Sequence, residues 1–199
     1  MSLRCFTATL LLLASFAAQA EPAVSRLTNS DYPASPDAVF TPGDLCEERE
    51  ADERRYGEEI PYCERSVSSD RKYAIIDLYD RERDFKIMRL GRNNFKIDHY
   101  IPLCMGGSND DGNLWPQHKD IYELTDTLEF ELCEGMKANW LSQARAVEIV
   151  RYAKAFPEYA PHFLECRREY ANGDLPEWPS DDGRGGPDLR AGCPRPSRR

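Results

Sequence analysis

The chain opens on an unbroken apolar run, "FTATLLLLASFAA", preceded by Arg4 and followed by Ala18-Gln19-Ala20. The run is too short for a comfortable membrane span. A basic residue, an apolar stretch and an A-x-A site read as a secretory leader over 1–20, so the mature chain is expected to begin at Glu21. No sustained period follows over 21–45, which is rich in Pro, Ser and Asp and reads as a loose arm. Residues 47–60 are almost continuously charged and fit an exposed helix or a loop closed by Cys46 and Cys63.

Helical spacing begins at "SVSSDRKYAIIDLYD". Ser68 or Ser69 can serve as N-cap, and Ile75, Leu78 and Tyr79 share one face. The period then drops to two in "FKIDHYIPL", a short strand in which Phe95, Ile97 and Tyr100 flank a polar pair. Met105-Gly106-Gly107-Ser108 and Asp110-Asp111-Gly112 are turn chemistry. Pro116 suits the first turn of a helix, which continues with Ile121, Leu124, Leu128 and Leu132 on one side and is expected to stop at Gly135. A second helix is predicted over "LSQARAVEIVRYAKAF", with Val147 and Val150 inward, and a third from Pro161 to Gly173. Residues 174–199 are poor in apolar positions and read as an extended tail. These elements predict an α+β fold: a mostly helical domain over 46–173 around a small ββα unit at about 95–134.

Cysteine usage adds staples. The leader takes Cys5, leaving Cys46, Cys63, Cys104, Cys133, Cys166 and Cys193. An even number in an exported chain points to disulfides, although the sequence alone does not choose a pairing. The preferred expectation is Cys46–Cys63, Cys104–Cys133 and Cys166–Cys193. No C-x-x-C occurs, which argues against a zinc knuckle. The formal net charge is −9, and loss of Arg4 makes it −10. That is a poor overall match to a polyanion. The distribution is uneven, however: residues 46–60 hold seven acids against three arginines, while 81–99 hold six bases against Glu82, Asp84 and Asp98.

The candidate chemistry lies in "KIDHYIPLCMGGSNDDGNLWPQHK", residues 96–119. A histidine titrates near neutrality and can take a proton from water. A neighbouring carboxylate can hold a divalent metal that neutralises a phosphate and stabilises a leaving oxygen. Taken singly, each residue has a plainer role: Asp98-His99 as a surface pair, Asn113 as a turn residue, Trp115 as core, and His162 as structural. The ordered run is what raises the catalytic reading.

That run, "DHYIPL…GG…N…NLWPQHK", resembles the HNH, or ββα-metal, endonuclease motif. The longer "IDHYIPLCMGGSN…NLWPQ", with Lys119-Asp120-Ile121-Tyr122-Glu123 after it and "YCERSVSS" before it, resembles small exported bacterial HNH proteins. The resemblance is strong over 95–123 and weaker over 60–150. It implies a general base, His99; a metal ligand, Asp98; and Asn113 either bracing the loop or binding metal. The chain departs from the motif at the last ligand. His118 lies five residues after Asn113, and the ninth position is Tyr122. His118, at the helix start facing the loop, is the preferred helix-side ligand, with Glu123, which the exported proteins share, close behind. The cofactor implied is Mg²⁺, Mn²⁺ or Zn²⁺, and the partner is nucleic acid, DNA ahead of RNA, approached along Arg89, Arg92 and Lys96. The expected protein is thus a periplasmic or secreted monomer, free of the membrane after cleavage, that hydrolyses phosphodiesters with little sequence preference. The alternative is an exported binding or structural protein on the same frame.

Overall fold

The computed structural model describes residues 29–180, 185–189 and 191–194. The leader and its cleavage site lie outside the described residues. The fold is α+β, with two small antiparallel sheets. Strands β1 (Glu53–Arg55) and β2 (Ile60–Tyr62) form one hairpin. Strands β3 (Phe95–His99) and β4 (Leu114–His118) form the other, in register from Phe95↔His118 to His99↔Leu114. Helix α1 (Ser69–Arg83) and the short α2 (Ile87–Leu90) precede β3. Helix α3 (Lys119–Lys137) leaves β4 directly, and α4 (Gln143–Ala155), α5 (Ala160–Glu165) and α6 (Arg167–Asn172) complete the chain order.

Local chemistry sets these boundaries. Ser68 Oγ accepts from Arg71 N at 3.2 Å and Ser142 Oγ from Arg145 N at 3.3 Å, each satisfying an orphan donor of a first helical turn. Two apolar groups fill the interior. Ile75, Ile76 and Tyr79 of α1 pack with Phe95, Ile97, Leu114, Trp115 and Ile121. Leu128, Leu132 and Met136 of α3 pack with Ile149, Val150, Ala153 and Phe163. Each fully buried side chain of this kind contributes about 1.5–3 kcal/mol.

Several expectations are corrected. The 46–60 stretch is neither a helix nor a bare loop; it holds a 3-10 turn at Glu48–Glu50 and the β1–β2 hairpin. Pro116 lies in β4 opposite Ile97, not in a helix. In a two-stranded ribbon half of the N–H groups point away from the partner, so proline need not cost a ladder bond. Helix α3 runs past Gly135 to Lys137. A Cβ on Gly135 would meet the Trp140 ring at 2.5 Å, so this glycine allows a close approach and does not stop the helix. The segment from Pro161 to Gly173 is two helices broken at Cys166.

Over its described part, the arm is not loose. Thr41 Oγ1 is buried between Tyr79 Oη and Leu114 O, Arg83 pairs with Asp37 at 2.6 Å, and Tyr32 stacks on His118. Its few apolar and hydroxyl residues plug gaps left by α1 and β4, which periodicity does not reveal. The disulfides are Cys46–Cys63, Cys104–Cys133 and Cys166–Cys193, with Cα atoms 5.7, 5.9 and 5.1 Å apart. The described tail is extended; Glu177 O accepts from Tyr152 Oη, and Cys193 is tied to Cys166. No helix among the described residues is long and apolar enough to cross a membrane.

Candidate active site around Asp98 and His99

Successive residues of a strand project to opposite faces. On β3, Lys96 and Asp98 face α3 and α4, whereas His99 faces the segment after β2 and the loop that joins β3 to β4.

On the Asp98 side, the Lys154 ammonium of α4 is fully buried. Its three protons reach Asp98 Oδ2 at 2.9 Å, His99 O at 2.5 Å and Glu129 Oε1 at 2.9 Å, the last as an ion-pair contact off the ideal hydrogen-bond direction. Lys96 Nζ pairs with Asp126 Oδ1 at 2.6 Å and lies 3.7 Å from Asp98 Oδ2. Burial alone would raise the Asp98 carboxyl, but the Lys154 and Lys96 ammoniums outweigh it and hold Asp98 below its usual range. Burial pushes Glu129 up to about 7, because one lysine cannot fully compensate two buried acids. The same two acids outweigh burial for Lys154 and raise it.

On the other side, His99 is 2% exposed. Nδ1 lies 3.3 Å from Nη2 of Arg65, and Nε2 lies 3.2 Å from Oδ1 of Asn109. Burial is the main cause that lowers His99 to about 4, so the ring is neutral at physiological pH. Arg65 is exposed and follows Cys63 by two residues.

The intervening loop is held by Asn113. Its Oδ1 accepts from Ile101 N at 2.8 Å, and its Nδ2 donates to Ile101 O and Ser108 O, both at 2.9 Å. A Cβ on Gly107 would sit 1.8 Å from Ile101 O, so only glycine allows the loop to fold this tightly. Of the two roles open to Asn113, the loop brace is the one its amide performs, with both its oxygen and its nitrogen engaged by the loop backbone.

The expected helix-side ligands are elsewhere. His118 is paired with Phe95, four positions from the His99↔Leu114 pair, which is about 13 Å along a strand. Its Nδ1 accepts from Asp120 N at 3.3 Å, capping α3, and its ring stacks on Tyr32 at 4.0 Å. Glu123 is exposed and lies off the face that meets β3. That face carries Tyr122, Asp126 and Glu129 instead. Comparison with family models, with curated proteins and with solved structures returns no match.

The basic residues of 81–99, which include the expected substrate contacts Arg89, Arg92 and Lys96, are largely committed. Arg81 pairs with Asp77, Arg83 with Asp37, Lys86 with Asp31 and Lys96 with Asp126. Arg92 donates to Phe95 O, and Arg89 is exposed on α2. Arg65 is the guanidinium that reaches the motif histidine.

Asp98, Asp126 and Glu129 each offer a carboxylate oxygen within 4.8 Å of the others. An all-oxygen set suits a hard cation such as Mg²⁺ or Mn²⁺ better than zinc. Lys154 is sealed in place, but Lys96 is one-third exposed on a flexible stem. The donors that fit a divalent cation are therefore Asp98 and Asp126, with Lys96 swung aside. Sequence reasoning missed five of these residues, namely Arg65, Asn109, Asp126, Glu129 and Lys154. Lys154 had a signal, being four residues after Val150 on the buried stripe of α4; Asp126 and Glu129 follow Tyr122 at helical spacing.

Proposed function

We propose that this chain is an exported phosphodiester hydrolase acting on nucleic acid, with His99 as general base. One observation carries the reading: a buried neutral imidazole closes β3, beside an exposed guanidinium, in a loop braced by Asn113. His99 takes a proton from the attacking water. Arg65 holds the phosphate oxygens that gain charge. Lys154 fixes the end of β3 through the His99 carbonyl and the Asp98 carboxylate. A divalent cation held by Asp98 and Asp126 would add positive charge on the face of β3 away from His99, where it would steady the strand end that carries the base. Such contacts read phosphate and not bases, so cutting is sequence-tolerant. The three disulfides are compatible with an extracytoplasmic compartment.

The test is nicking of a supercoiled plasmid by the purified mature chain, with Mn²⁺ or with EDTA, beside His99→Ala. The wild type should nick and His99→Ala should lose roughly 10²–10⁴-fold. A wild-type chain inert on DNA and RNA under all these conditions refutes the reading. A second reading, a non-catalytic binding protein, is favoured by one feature: Lys154 and Lys96 already neutralise the carboxylates of the acidic face. Binding of nucleic acid without cleavage in the same experiment would establish it.

A further inference from the structure

We infer that Asn109 is a positioning residue that fixes His99 in its Nε2–H tautomer, through a cradle formed by Glu64–Ser66. The inference rests on the hydrolase reading above, but its first test does not.

Asn109 has two chemically different ends, and its neighbours distinguish them. Nδ2 lies 2.7 Å from Glu64 O, a carbonyl that can only accept, so the amide nitrogen points there. Ser66 N lies 3.2 Å from the other end, and a backbone N–H can only donate, so that end is the oxygen. The same oxygen faces His99 Nε2 at 3.2 Å. An amide oxygen cannot donate, so Nε2 carries the proton. A neutral ring has one such proton, and Nδ1 is left with a bare lone pair. The opposite side agrees independently. Arg65 has donors only, and its Nη2 lies 3.3 Å from Nδ1. An Nδ1–H tautomer would set proton against proton at Arg65 and lone pair against lone pair at Asn109.

This geometry assigns work to residues outside the motif core. The lone pair that would take water's proton opens towards Arg65, so water and phosphate must enter between ring and guanidinium. The cradle is short and follows Cys63 directly. The Cys46–Cys63 bridge therefore anchors the segment that orients Asn109.

The experiment is long-range ¹H–¹⁵N spectroscopy of the imidazoles in the full mature chain at about pH 8, well above the ordinary histidine pKa of about 6.5. EDTA is present, and His118→Gln and His162→Gln provide assignments. Wild-type His99 should show the Nε2–H pattern. Asn109→Ala combined with Arg65→Ala should show a mixture of tautomers, because either single variant leaves the other side of the lock in place. In the nicking assay Asn109→Ala should lower kcat at least tenfold with little change in KM. An Nδ1–H pattern in the wild type overturns the inference even where the variants fail to fold. So does an unchanged Nε2–H pattern in the folded double variant. A wild type that shows Nε2–H but cuts nothing supports the tautomer lock and refutes only the hydrolase reading.

Discussion

Asp98 and His99 are neighbours in the chain and opposites in environment. Asp98 faces two helices and meets a lysine that has no solvent exposure at all. His99 faces a turn and meets an arginine and an asparagine near the surface. The acidic side is an ionic network whose buried members, Lys154, Asp98 and Glu129, are costly to disturb. The histidine side is a cradle of three short segments, where one ring has two hydrogen-bond partners and one of them, Arg65, is free to leave. The contrast separates what holds the end of β3 from what can do chemistry there, and it can be attacked from either side.

The largest effect is expected from Lys154→Met. It strands Asp98 and Glu129 as buried acids and removes the tie to the His99 carbonyl. Breaking a buried pair in this way costs about 3–5 kcal/mol. Adding Asp98→Asn and Glu129→Gln should return most of that loss, because no unpaired charge is left behind. Urea unfolding of the single and triple variants measures both. Equal stability of wild type and Lys154→Met would show that the acidic side is not the anchor.

Next come the disulfides. Cys46–Cys63 and Cys166–Cys193 span 17 and 27 residues, so replacing either pair by serine should cost about 3 kcal/mol. Their effects on turnover should differ. Losing Cys46–Cys63 frees the segment that carries Arg65 and orients Asn109, and turnover of the folded fraction should fall roughly tenfold. Losing Cys166–Cys193, which ties the tail to the end of α5, should leave turnover of the folded fraction unchanged. Equal turnover in the two folded variants would mean that the cradle holds without its bridge.

Lys96→Met should be smaller still. Its ion pairs are partly exposed and worth about 0–1 kcal/mol. It should, however, bind Mn²⁺ severalfold more tightly in calorimetry, because the ammonium no longer competes for Asp98 and Asp126. Unchanged affinity would place any cation elsewhere.

How much of this was legible beforehand follows from the range of each interaction. Helical spacing around Ile75, Leu128 and Val150 is local, and it located α1, α3 and α4. The β3 alternation was equally plain, and the three bridges follow the expected pairing. The arm was misread because its anchors are single residues, such as Thr41 against Leu114 O and Tyr32 against His118, with no period to betray them. The acidic residues 46–60 hid a hairpin because β1 and β2 are only three residues each and bury little apart from Ile60. At the site, Asp98, His99 and Asn113 stand in one stretch and were visible together. Arg65, Glu129 and Lys154 reach them from other elements, and only the fold makes them neighbours. His118 is expected as a ligand because the sequence sets it at a helix start facing the loop. The extra pairs of β4 instead carry it to the opposite end of the ribbon, beside Phe95.

The subtlest difference between the two sides is in their response to pH, measured without metal in chelating buffer. His99 falls to about 4 in the folded chain, so between about 4 and 6.5 the unfolded chain binds more protons. Its contribution to stability is present above about 6.5 and is lost as pH falls towards 4, on the order of 3 kcal/mol in all. Glu129 is pushed the other way, up to about 7, so between about 4.5 and 7 the folded chain binds more protons and stability is lost as pH rises. The two slopes oppose each other, and the wild type should be nearly flat between about pH 4.5 and 6.5. His99→Gln should expose a falling slope as pH rises, and Glu129→Gln a rising one. Denaturant midpoints taken at intervals across that window measure all three. If both variants keep the wild-type profile, the two faces of β3 do not titrate as opposites, and the contrast between them is steric alone.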